Sequence, residues 1–131
     1  MTVLADTSAW IEYLRATGSP THLAMRSAVR AGDLVTCDPV VLEVLAGVPR
    51  DAEASGYVRL LAGAAHHATV PFHDTAAAAR LHRVCRRAGE TVRSLVDCQI
   101  AAIAIRLEVP VLHRDRDYEV LARHTPLQVI A

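Results

Sequence analysis

Short apolar runs that stop abruptly at polar residues, each followed by a stretch with helical spacing, set the strongest limit on how this 131-residue chain folds. Val3-Leu4-Ala5 stops at Asp6, Leu34-Val35-Thr36-Cys37 at Asp38-Pro39, and Val109-Pro110-Val111-Leu112 at His113. Leu127-Gln128-Val129-Ile130 makes a last candidate strand, and residues 66–70, closed by Pro71, offer another. Between these runs apolar residues recur at spacings of three and four. That pattern predicts helices beginning at Asp6 or Ser8, then over about 21–31, 39–47, 52–64, 74–87 and 94–107, with a brief one ending near 123. Gly32 and Gly89 read as helix stops, and Asp38, Asp74 and Ser94 as helix starts. Strands that alternate with amphipathic helices pair in parallel, with helices on both faces of the sheet. The expected fold class is α/β with a central parallel sheet, in one domain over residues 1–131.

Composition narrows the function classes. An apolar fraction of 52% and a mean hydropathy of +0.23 supply a buried core and argue against disorder. The longest uninterrupted apolar run, Ile100 to Ile105, falls far short of a membrane span. Met1-Thr-Val-Leu-Ala-Asp6 lacks the basic start of a signal peptide, so a cytoplasmic location is expected. Cys37, Cys85 and Cys98 are odd in number and lack C-x-x-C spacing, which speaks against disulfides and a cysteine zinc site. Formal net charge is zero, so global charge gives no hint of nucleic acid. All 14 basic residues are arginine, which removes every lysine chemistry: the P-loop, the Schiff base and the lysine beside a phosphoacceptor aspartate. Arg80, Arg83, Arg86, Arg87 and Arg93 fall in one stretch; from charge alone they read as a solvated helix face, with Arg80, Arg83 and Arg87 together.

The acids are placed more tellingly. Asp6 follows the first strand, and Asp115 and Asp117 follow a late one. Glu43 is the single charge in an apolar helix, and Asp97 the single charge near the start of an even more apolar one. In open α/β sheets functional groups gather at the C-terminal ends of strands. There these acids can form a cluster of four or five carboxylates. Two such charges about 4 Å apart repel by roughly 4 kcal/mol at an effective dielectric near 20, so protons or a divalent cation must share the space. Oxygen ligands without cysteine or paired histidine suit Mg²⁺ or Mn²⁺. Taken singly, each acid has a plainer role: Asp6 as a helix cap, Asp97 in a Ser94-x-x-Asp97 capping box, Asp115 and Asp117 as turn residues. Glu43 has the weakest plain role. The seven histidines form no ligand pattern, and Ser8 lacks a nucleophile elbow.

Asp6-Thr-Ser-Ala-Trp, Glu43, Arg93-Ser-Leu-Val-Asp97-Cys-Gln-Ile-Ala and His113-Arg-Asp115-Arg-Asp117-Tyr together resemble a PIN domain, more narrowly a VapC-type ribonuclease toxin of a toxin–antitoxin pair. The likeness spans essentially the whole chain. It implies a three-layer α/β/α sandwich and Mg²⁺- or Mn²⁺-dependent hydrolysis of RNA phosphodiester bonds. It further implies Asp6 and Asp97 as principal metal ligands, Glu43 and Asp115 completing a catalytic quartet, and Ser8 and Asp117 as auxiliaries. Tyr118 stands where similar chains carry Phe, an exchange expected to be harmless. Arg86, Arg87, Arg93, Arg114 and Arg116 become candidates for RNA phosphates. The resemblance also implies a homodimer, held inactive in a hetero-oligomer by a VapB-type antitoxin whose arginine enters the acidic site. Two other readings compete. One is a non-catalytic module whose acidic cleft receives a basic antitoxin segment. The other is an aspartate-based phosphohydrolase with Asp6 as nucleophile, disfavoured by Ser8 and the missing lysine.

Overall fold

β1 (Val3–Ala5) and β2 (Leu34–Cys37) are buried along their whole length, the mark of strands covered on both faces. In the computed structural model, which describes residues 1–130, they sit inside a five-stranded parallel sheet of order β3-β2-β1-β4-β5. The partners are β3 (Ala65–His67), β4 (Val111–Leu112) and β5 (Val129–Ile130). Register is set by pairs such as Leu4 opposite Val35 on one side and Val111 on the other. Ala131, the last residue of the expected domain, lies outside the described residues.

Seven α-helices fill the connections among the described residues: α1 (Thr7–Leu14), α2 (Pro20–Ala31), α3 (Asp38–Ala46), α4 (Ala54–Ala62), α5 (His73–Arg87), α6 (Leu95–Leu107) and α7 (Arg116–His124). A 3₁₀ turn at Asp51–Glu53 precedes α4. From β1 the chain steps outward through β2 to β3, then returns to the other side of β1 for β4 and β5. Right-handed crossovers therefore put α1–α4 on one face and α5–α7 on the other. The packing agrees: α1 lies on α2 and α3, whereas α5, α6 and α7 pack together. The result is the expected α/β/α sandwich. Strand order reverses between β1 and β4, and the crevice at such a switch point is where open α/β sheets bind ligands.

Several expected starts turn out to be long-range anchors. Asp38 does not cap its own helix; its carboxylate accepts the Thr69 backbone N–H at 2.9 Å and a bond from His66. Asp74 sits inside α5 and accepts the Val70 N–H and the Arg106 guanidinium. The Ser94 hydroxyl makes no capping bond, so the capping box is not formed. Leu95, in the first turn of α6, is 63% exposed, while Ile100 and Ile103 are fully buried. The expected strands at 66–70, 109–112 and 127–130 shorten to β3, β4 and β5.

Candidate active site

At the end of β1 the chain turns from extended backbone into α1, and Asp6 is the hinge residue. Its carboxylate caps α1 by accepting the Ala9 N–H at 2.9 Å, and the Ser8 hydroxyl donates to it at 2.7 Å. Asp6 is only 2% exposed. Burial pushes its carboxyl up to about 6, against the pull of the Ala9 and Ser8 donors and with a further push from Asp115. Ser8 also accepts the backbone N–H of Arg114 at 2.8 Å, which hooks the loop after β4 onto the turn after β1. Glu43, half-buried on α3, accepts the Thr7 hydroxyl at 2.6 Å.

The second half of the site comes from the start of α6 and the loop into α7. Oxygens of Asp97, Asp115 and Asp117 all lie within 4.8 Å of one another. Asp115 caps α7 by accepting the Asp117 N–H at 2.9 Å. Asp117 in turn accepts the backbone N–H groups of Ser94 at 3.1 Å and Arg93 at 3.2 Å, so the turn into α6 orients the carboxylate of the turn into α7. Arg93 lays its guanidinium against both acids, with Nε at 3.3 Å from Asp117 and a terminal nitrogen at 3.4 Å from Asp115. Burial, then Asp117 and Asp115, push Asp97 far above the usual carboxylate range. Burial also works against Asp117, but Asp97, Arg93 and Ser94 outweigh it and hold Asp117 low. The shared setting thus opposes ionisation of Asp97 and favours that of Asp117.

Tyr118 joins the two halves. It is fully buried, its hydroxyl donates to Asp97 at 3.2 Å, and its ring packs on His113. Burial raises its pKa well above 10.0, and the charges of Asp6, Asp97 and Glu43 raise it further, so three carboxylates from three elements face one phenol.

All six acids and hydroxyls singled out in the sequence therefore gather at the switch point, with a different inner circle. Asp117, expected as an auxiliary, stands inside the tight trio with Asp97 and Asp115; Asp6 and Glu43 stand just outside it. The expected arginines divide. Arg93 is engaged by the acids, and Arg114 pairs with Glu12. Arg86, Arg87 and Arg116 are exposed and have no acidic partner among the described residues. Sequence reasoning passed over Thr7 and treated the Tyr118 hydroxyl as idle. Thr7 lies within the Asp6-Thr7-Ser8 motif, yet its partner is 36 residues away.

The donor set suits a hard divalent cation. It is all oxygen, its carboxylates crowd one another enough to push Asp97 far above the usual range, and soft ligands are absent from it. The arrangement can hold a cation, offer a carboxylate as proton acceptor, and orient water beside it.

Comparison with known proteins identifies the family. The PIN domain family matches residues 3–124. VapC ribonuclease Mb1587 of Mycobacterium bovis is 44% identical over 128 residues, 96% of each chain, and ribonuclease VapC11 of Mycobacterium tuberculosis matches equally. Among solved structures, VapBC2 from Rickettsia felis bound to a promoter DNA fragment superimposes with a TM-score of 0.78 at 13% identity, covering 99% of this chain and 98% of that one. VapC20 of Mycobacterium tuberculosis, a toxin that cleaves the sarcin–ricin loop, gives 0.64 at 18% identity, covering 97% and 99%. At such identities the structures speak for the fold, and the sequence relatives for the family. This chain belongs to the PIN-domain family and, within it, to the VapC ribonucleases.

Proposed function

We propose that the chain is a single-domain, metal-dependent endoribonuclease acting as the toxin of a toxin–antitoxin pair in the cytoplasm. The observation that carries the reading is the convergence of Asp97, Asp115 and Asp117 within 4.8 Å, beside Asp6 and Glu43, at the switch point of the sheet. Mg²⁺, with Mn²⁺ as a substitute, is the proposed cation, and Asp6, Asp97 and Asp115 would hold it directly or through water. When bound, such an ion lowers the pKa of water in contact with it and offsets charge developing on the scissile phosphate.

The chain's own residues do the positioning. The Ser8 hydroxyl fixes Asp6, the Tyr118 hydroxyl fixes Asp97, and Thr7 fixes Glu43, so three carboxylates are held without using their remaining lone pairs. Glu43, partly open to solvent, is placed to accept a proton from water. Arg93 offsets the acids where a cation would otherwise be needed, and Arg86, Arg87, Arg93, Arg114 and Arg116 are the proposed phosphate contacts. The proposed partners are an RNA substrate, a second copy in a homodimer, and a VapB-type antitoxin delivering basic residues to the acidic crevice.

Cleavage of a structured RNA, followed on denaturing gels across a Mg²⁺ titration, tests the reading. Wild type is expected to cut, and Asp6→Asn and Asp97→Asn to lose at least about a hundredfold in rate. Equal cleavage by both variants would displace the site, and metal-independent cleavage would overturn the mechanism. A wild type that binds antitoxin but never cuts would favour the non-catalytic module.

A further inference from the structure

The turn before α5 has no part in the site just described, yet its backbone is strained. Phe72 has φ 64° and ψ −53°, and the His73 N–H donates to the Pro71 carbonyl at 2.7 Å. That is a γ-turn of the rare, strained hand, centred on a bulky residue. Phe72 is also the only phenylalanine in the chain and, at 85%, the most exposed large apolar side chain among the described residues. Neither burial nor backbone preference explains it. Strained backbone that persists is held by its surroundings and concentrates at sites that grip a ligand. The holding is visible here: Asp74 accepts the Val70 N–H at 2.8 Å and two bonds from Arg106 at 2.9 Å, and Arg106 also donates to the Ala68 carbonyl.

Beyond the turn, the outer face of α5 carries cations without counter-charges. Arg80, Arg83 and Arg87 follow at spacings of three and four, so they share one face; all are exposed, and none pairs with an acid among the described residues. His73, Ala76 and Arg80 line an open recess beside the Phe72 ring. The row also has a direction. Arg106, in the last turn of α6, meets Asp74 at the start of α5, so the two helices run antiparallel. Residues 88–94 then carry the chain from the end of the arginine row to Arg93, which touches Asp115 and Asp117. A path of exposed aromatic and unpaired guanidinium thus leads from the γ-turn toward the acidic crevice.

From this geometry we infer that the outer face of α5 is a track for single-stranded RNA, with a base stacked on Phe72 and phosphates following Arg80, Arg83 and Arg87. The inference rests on the ribonuclease reading and extends its substrate contacts to the far end of α5. An all-arginine row beside a bare aromatic face fits this occupant best: guanidinium forks pair with phosphate, and a base stacks on the ring regardless of sequence. An apolar protein partner would cover Phe72 but leave the arginines unmatched.

The test is the affinity of full-length protein carrying Asp97→Asn, in metal-free buffer, for fluorescein-labelled oligoadenylate, read by anisotropy over a salt series. Inorganic polyphosphate serves as the competitor that has charge but no bases. Phe72→Ala is expected to weaken oligoadenylate binding by about tenfold or more and leave polyphosphate competition as it was. Arg80→Ser with Arg83→Ser is expected to weaken both and to reduce the slope of log affinity against log salt by about 1.4. Arg30→Ser, on the exposed side of α2, is the charge control and should match the parent. Unchanged affinity and slope in the α5 variants would overturn the track while leaving metal-dependent cleavage, measured separately on wild type, to stand or fall alone. If Phe72→Ala instead alters the molar mass seen by light scattering and not RNA affinity, the face belongs to a protein contact and the inference is wrong.

Discussion

Tyr118 shows how much a single oxygen can carry. In outline it is a core aromatic, fully buried against His113, and its exchange with Phe looks free when only the sequence is read. In the structure its hydroxyl is, among the described residues, the one side-chain donor to Asp97, a residue already burdened by burial and by two neighbouring carboxylates. Partners that orient a metal-holding carboxylate typically matter by ten- to a hundredfold in affinity or activity. Tyr118→Phe keeps the ring and its packing, so the fold should survive with a near-normal unfolding midpoint. Mn²⁺ affinity, titrated by electron paramagnetic resonance, is expected to fall by about tenfold. An affinity equal to wild type would mean that the hydroxyl only satisfies itself. The exchange judged harmless from sequence is therefore the more informative substitution, because it separates the donor from the ring.

Between elements, the Asp74–Arg106 pair is the main ionic link in the α5–α6 layer. Asp74 is 2% exposed, and burial pushes its carboxyl up. Arg106, the Val70 N–H and His73 together outweigh that push and leave it below its ordinary value of 3.8. A carboxyl lowered by folding adds stability that is complete above 3.8 and is lost as pH falls through the lower folded value. Arg106→Gln strands a buried carboxylate, which costs about 3 kcal/mol, the low end of the usual range because Arg106 is partly open to solvent. Urea midpoints should show that loss near neutral pH and a gap from wild type that narrows in acid; a gap constant with pH would assign the loss to packing. This link also marks the limit of what sequence reveals. Asp38, Asp74 and Ser94 carry ordinary helix-start signals, and helices do start there, within a residue. Their side chains or amides serve distant partners instead, Thr69, Arg106 and Asp117, because a local pattern cannot announce a contact across 23 to 32 residues. Parallel pairing, the ends of β1, β2 and β4 and the placing of the five acids were legible for the opposite reason. Apolar periodicity and the breaks between runs are local, and the switch-point rule converts them into one crevice.

At the scale of the molecule, a chain of zero formal charge has separated its charges, with acids at the switch point and unpaired arginines along α5. Separation has a thermodynamic consequence, since crowded carboxylates oppose folding unless a proton or cation joins them. Here that opposition shows at Asp97, whose carboxyl burial, Asp117 and Asp115 push far above the usual carboxylate range. Asn at position 97 would offer an amide N–H to Asp117 and remove the carboxyl whose ionisation that setting opposes. Without metal, Asp97→Asn should therefore be at least as stable as wild type, the usual pattern where function holds groups against their preference. Mg²⁺ should reverse the ranking. A ligand bound only by the folded state adds about 2.7 kcal/mol at a hundred times its dissociation constant, which for a chain of this size raises Tm by on the order of 10 °C. Scanning calorimetry with and without Mg²⁺ should show that rise in wild type and little of it in Asp97→Asn. An equal rise in both would move the cation away from Asp97, and a metal-free variant less stable than wild type would mean that Asp97 serves the fold before it serves the chemistry.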